Sequence, residues 1–69
     1  MIWNYRIIKT KAGYQVHEVY YKKGKPTYWT TEGVSPSGDK LCDLNDDWEH
    51  YKIAFEKPVL IEKKLYEDL

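Results

Sequence analysis

Leu41-Cys42-Asp43-Leu44-Asn45-Asp46-Asp47-Trp48-Glu49-His50-Tyr51-Lys52-Ile53-Ala54-Phe55 is the stretch on which the reading of this chain turns. Its apolar members Leu41, Leu44, Trp48, Tyr51 and Phe55 advance by alternating threes and fours, the spacing that gathers side chains on one helix face. Before it the pattern has a period of two. Ile2 to Lys9, Tyr14 to Tyr21 and Pro26 to Thr31 read as strands, separated by the glycine turns Thr10-Lys11-Ala12-Gly13 and Lys22-Lys23-Gly24-Lys25. The change of period predicts an α+β domain: a three-stranded antiparallel meander (2–9, 14–21, 26–31) with one helix (40–56) packed on one face.

The flanks complete this outline. Glu32 to Asp39 is a loop marked by Ser35-Pro36 and Ser37-Gly38. Asp39 is the expected N-cap, and Lys57-Pro58 is the stop, because proline disfavours helical geometry in the residue before it. Val59-Leu60-Ile61 is expected to dock extended against the core. Residues 1–62 then form a single domain, and 63–69 a flexible or weakly helical tail.

At 69 residues there is room for one core, and such a core rarely supplies more than about 3–5 kcal/mol. The lone cysteine, Cys42, excludes an internal disulfide, and is expected to be a partly buried, inert thiol. His17 and His50 have no metal-ligand spacing, so no metal and no cofactor are expected. Eleven aromatic residues leave dense aromatic packing, a partner chain, or both as the means of stabilisation. No apolar run approaches a membrane span, the start Met1-Ile2-Trp3-Asn4 lacks the pattern of a secretory signal, and one cysteine suits a reducing compartment. A cytoplasmic protein without membrane contact is expected.

Net charge is zero but unevenly spread. Arg6, Lys9, Lys11, Lys22, Lys23 and Lys25 face only Glu18 within residues 1–31, while 32–49 carry six acids against Lys40. The asymmetry suits either a nucleic-acid surface or a bland division, with acids at a helix start and lysines solvating hairpin tips.

With four-residue turns, Trp3 pairs with Tyr20, Tyr5 with Glu18, Ile7 with Val16 and Lys9 with Tyr14. One face then collects Trp3, Tyr5, Ile7, Tyr14, Val16, Glu18, Tyr20 and Trp29, and should receive the helix. Glu18 there is either an anchor, bonded to the Trp29 indole or the Tyr5 hydroxyl, or a carboxylate primed for acid–base work. The other face carries Arg6, His17, Val19, Tyr21 and Tyr28 and is the candidate partner-binding surface. Lys9, Lys11, Lys22, Lys23 and Lys25 are the alternative, nucleic-acid-binding set, with Tyr21 and Tyr28 as stacking platforms. Catalytic templates fail: His17-Glu18 lies in a strand, and Asp43-Leu44-Asn45-Asp46-Asp47 lacks the glycine and terminal glutamate of a calcium loop.

Trp3-Asn4-Tyr5-Arg6, Gly13-Tyr14, His17-Glu18-Val19-Tyr20-Tyr21, Trp29-Thr30, Pro36 and Lys57-Pro58-Val59-Leu60 together resemble a family of very short, uncharacterised bacterial proteins. The likeness covers residues 3–60 and implies fold and boundaries, with no activity attached. The chain departs from it at Lys40-Leu41-Cys42-Asp43, where the family has a threonine or serine cap followed by glutamates. The element order is also similar to the N-terminal half of HicB-type antitoxins, in layout alone. The expected function is therefore a small, non-catalytic interaction module from a bacterium or phage. It binds a protein partner or itself through the open sheet face or an edge strand. The alternative is an antitoxin-like RNA- or DNA-binding module.

Overall fold

Both hairpins close through left-handed backbone. Lys23 and Gly24 take φ of 53° and 79°, the paired positive values of a type I′ turn, whose twist matches that of the strands it joins. Gly13 (φ 110°) serves the first turn, where Thr10 Oγ1 accepts the Ala12 N–H at 3.0 Å. In the computed structural model, which describes residues 2–69, these turns connect β1 (Ile2–Thr10), β2 (Gly13–Lys22) and β3 (Lys25–Trp29). Met1, the first residue of the expected domain, lies outside the described residues. The chain continues through α1 (Leu41–Tyr51), a 3₁₀ segment (Lys52–Glu56), β4 (Leu60–Ile61) and α2 (Glu62–Glu67). The fold is α+β, as expected.

The first hairpin has the expected register, Trp3 opposite Tyr20, Tyr5 opposite Glu18 and Ile7 opposite Val16. The tail segment does dock extended: β4 pairs parallel with β1, Ile8 opposite Leu60, and the sheet order is β3-β2-β1-β4.

The second hairpin departs from expectation by one residue. Tyr21 pairs with Pro26, but Tyr20 then pairs with Tyr28 and Val19 with Trp29, so Thr27 is an extra residue in a β-bulge. An odd insertion exchanges the two faces for all that follows. Trp29 therefore leaves the face assigned to it and Tyr28 takes its place. The exchange buries Trp29 against α2, its ring 5.0 Å from Tyr66 edge-to-face and its indole N–H donating to Glu62 Oε2 at 3.4 Å.

Of the expected stripe only Tyr51 packs on the sheet, its ring 5.2 Å from Tyr5. Leu41 is 81% and Phe55 64% exposed, Trp48 (46%) and Leu44 (38%) are partly exposed, and α1 buries no residue. Two causes act. The Tyr5 hydroxyl donates to Asp47 Oδ1 at 2.6 Å and the Ser37 backbone N–H to Asp47 Oδ2 at 2.9 Å, which turns the Asp47 side of the helix to the sheet. Then, at Lys52, the coil tightens. A 3₁₀ coil advances about 120° per residue rather than about 100°, so residues three apart eclipse. Ala54 falls beneath Tyr51 and is fully buried with Tyr5 and Val16, while Phe55 swings to solvent. The start also differs: the N-cap is Lys40, without a side-chain bond, rather than Asp39. A Cβ on Gly38 would lie 2.7 Å from the Asp43 carbonyl carbon, so only glycine lets the loop pass that close.

The second face is not open. The tail 63–69 contributes α2, whose Leu65 is buried with Ile8, Val19 and Trp29, while Tyr21 and Leu60 pack around them. The sheet thus lies between two small cores, one under Tyr51 and Ala54 and one under Leu65.

Candidate functional site

The five residues expected to form a partner surface do not form one. His17 and Val19 are fully buried. His17 Nδ1 lies 2.8 Å from the Thr30 carbonyl oxygen, an acceptor, so Nδ1 carries the proton. Arg6 is drawn inward: Nη1 donates to the Tyr21 hydroxyl at 3.0 Å and Nη2 to the Pro58 carbonyl at 2.7 Å. The Tyr21 hydroxyl donates in turn to Asn4 Oδ1 at 2.9 Å. These residues tie β1, β2 and the approach to β4 together, on the face that α2 covers. Tyr28 is the exposed one of the five, and the bulge places it on the opposite face.

The five lysines do not converge either. Lys9 and Lys11 lie at one end of the β1–β2 hairpin and Lys22, Lys23 and Lys25 at the other, separated by strand length of about 30 Å. The Lys9 ammonium sits 5.7 Å from the Tyr14 ring centre, a cation–π contact. Glu18 is held by neither expected donor. The Tyr20 hydroxyl donates to its Oε1 at 2.6 Å, and that bond, helped by desolvation, raises the phenol above its ordinary pKa. Cys42 is exposed rather than partly buried.

Two surfaces take the place of the expected one. On the half of the sheet that α1 leaves bare, Trp3, Tyr20 and Tyr28 form a row across β1, β2 and β3. Their ring centres are 6.1 and 5.5 Å apart, with planes inclined by 35° and 48°. Trp3 is 42% and Tyr28 61% exposed. Alternation from Tyr20 puts Lys22 on this face, and Lys25 pairs directly with Lys22, so both lysines border the row toward the hairpin tip. The second surface is the outward side of α1, where Leu41, Leu44 and Trp48 are exposed; of the exposed side chains after it, Ile53 lies beside Trp3 and Tyr5 and Phe55 beside Tyr14 and Val34. Trp48 stacks on Tyr51 at 6.0 Å and 25°, which holds the indole in place.

The sequence already showed part of the row, since Trp3 opposite Tyr20 follows from the first turn. Tyr28 was out of reach because no residue pattern announces the bulge at Thr27.

Two groups with shifted pKa values, Tyr5 and Asp47, tie α1 to the sheet. Burial first, and then the bond to Asp47, push the Tyr5 phenol well above its usual range. The same bond, with the Ser37 N–H, holds the Asp47 carboxyl below the usual carboxylate range. Among the described residues no three His, Cys, Asp or Glu side chains are grouped to hold a metal ion. No helix there is long and apolar enough to cross a membrane. Comparison with protein-family models, curated proteins and solved structures gave no match, so a functional reading stands on the geometry of these two surfaces.

Proposed function

We propose that this chain is a small, non-catalytic interaction module that associates with a second copy of itself through the outward side of α1. The observation that carries the reading is the set of apolar side chains Leu41, Leu44 and Trp48, at helical spacing on α1 and exposed to solvent. Scattered exposed leucines need no explanation, but large apolar side chains repeated at helical spacing on one exposed side suit a contact surface.

Area supports a second copy as the occupant. A monomer of 8.3 kDa is expected to expose about 4,600 Å², whereas this chain exposes 5392 Å². The surplus, about 800 Å² over the whole elongated chain, leaves surface enough for an interface of standard size. The radius of gyration, 12.4 Å, likewise exceeds the roughly 11 Å of a domain this long. Two α1 helices laid antiparallel about a two-fold axis bring the first turn, with Asp43, toward the Lys52 and Lys57 end of the second copy. They also oppose the helix dipoles, and the pairing closes at two copies. Tyr5, Asp47 and Tyr20 bond one another or Glu18 within the fold and keep their ordinary protonation at neutral pH, and Lys52 is shifted chiefly by its ion pair with Glu49, in keeping with a binding role rather than catalysis. The exposed thiol of Cys42 suits the reducing cytoplasm.

Light scattering on a size-exclusion column tests this at low and high micromolar concentration. The expected result is a dimer that Trp48→Asp converts to a folded monomer. A strict monomer at high concentration would overturn the reading.

A further inference from the structure

The aromatic row lies on other residues and makes a separate site. We infer that Trp3, Tyr20 and Tyr28 stack the bases of a single-stranded nucleic acid, with Lys22 and Lys25 taking its phosphates.

Three observations carry this. First, the row is built and held. Register puts one ring on each of three adjacent strands, and the Tyr20 hydroxyl is pinned to Glu18 at 2.6 Å. Trp3 is braced edge-on by Tyr5 at 5.1 Å. A platform ordered before binding loses little entropy when a ligand arrives. Second, the bulge at Thr27 is what brings Tyr28 beside Tyr20. Bulges re-aim side chains at functional edges.

Third, the lysines are placed at a cost. Lys22 stands directly opposite Lys25, with Lys23 at the turn between them. Like charges directly opposite destabilise a sheet, and a polyanion laid along the hairpin would relieve the repulsion. An apolar or proline-rich peptide has no such use for them. Acids near the row offset the lysines only in part: Glu18 keeps its negative charge although the neutral Tyr20 hydroxyl bonds it, and Asp68 approaches the hairpin beside Lys22, Lys23 and Lys25 without an ion pair to them among the described residues, so the three lysines still outnumber these acids. The ligand is single-stranded because a duplex hides its base faces, whereas exposed rings on a sheet take two or three splayed bases.

Fluorescence anisotropy with short labelled DNA and RNA single strands tests the assignment. Binding is expected at low salt, with the logarithm of the association constant falling against log salt at a slope of about −1.4, for two phosphate contacts. Tyr28→Ala should weaken binding about 5- to 100-fold and Tyr28→Phe should restore it, since the ring face does the work. Lys22→Glu with Lys25→Glu should abolish binding, a duplex of the same sequence should bind more weakly, and Trp48→Asp should leave affinity per chain unchanged. That last variant separates this site from the dimer contact. All of these side chains are exposed or at a turn, so circular dichroism is expected to show intact folds. No anisotropy change at low salt would overturn the inference. So would binding indifferent to Tyr28→Ala, or a proline-rich peptide held by the row with no salt dependence.

Discussion

The two helices divide their tasks against appearance. α1 has eleven residues and an apolar stripe, yet buries none of them. α2 has six residues, three of them charged glutamates or lysines within its first turn, and closes a core through Leu65. A helix of six residues has no stability of its own in water, so α2 exists because Ile8, Val19 and Trp29 offer Leu65 a place. α1 is held differently, by Tyr51, Ala54 and the polar tie from Asp47 to Tyr5 and Ser37. One helix is kept by the packing of Leu65, and the other by Tyr51 at its end together with hydrogen bonds from Asp47, which frees an apolar side of α1 for contact.

The comparison breaks most visibly at Leu65. Leu65→Ala should cost about 2–5 kcal/mol, nearly all that a core of this size supplies, and urea melts should find the variant largely unfolded. If it melts like the parent, α2 is not what closes the second face. Tyr5→Phe probes the other helix: losing the donor to Asp47 should cost about 1–2 kcal/mol in the same melts, with far-ultraviolet dichroism retained.

The pH dependence of stability sharpens the contrast, because the tie is titratable and the Leu65 contact is not. Asp47 is depressed in the folded state, so its contribution is present above the usual carboxylate range and is lost as acid protonates it. Tyr5 is raised, so its contribution is full below about pH 10 and fades as pH climbs past the unfolded phenol value. Thermal melts across pH should fall on both limbs, and Asp47→Asn should flatten the acid one. Smaller still, Lys22→Glu should remove the cross-strand repulsion with Lys25 and stabilise the hairpin by about 0.2–1 kcal/mol, while harming nucleic-acid binding. Leu41→Ala should change monomer stability by less than about 0.5 kcal/mol, though it should weaken the dimer.

Much of the frame was legible. The first glycine turn set the β1–β2 register, and Lys57-Pro58 ended the helical stretch. Val59-Leu60-Ile61, too apolar for a free linker, paired with β1. The site was legible only in its Trp3–Tyr20 half. Tyr28 depended on the Thr27 bulge, and the partner set Arg6, His17, Val19 and Tyr21 was placed on a face that proved to be covered. Helical periodicity misled at α1 because it reports which residues share a side, not what that side meets.

What the residues alone determined is local: strand against helix, turn against strand, which neighbours pair across a hairpin. These follow from backbone sterics and periodicity within a few residues. Which way α1 rolled, where the extra residue in β3 went and what the last turn of chain would cover were decided only in three dimensions. Each depended on contacts between residues far apart in sequence, Tyr5 with Asp47, Trp29 with Glu62 and Leu65 with Ile8. No local pattern encodes those energies.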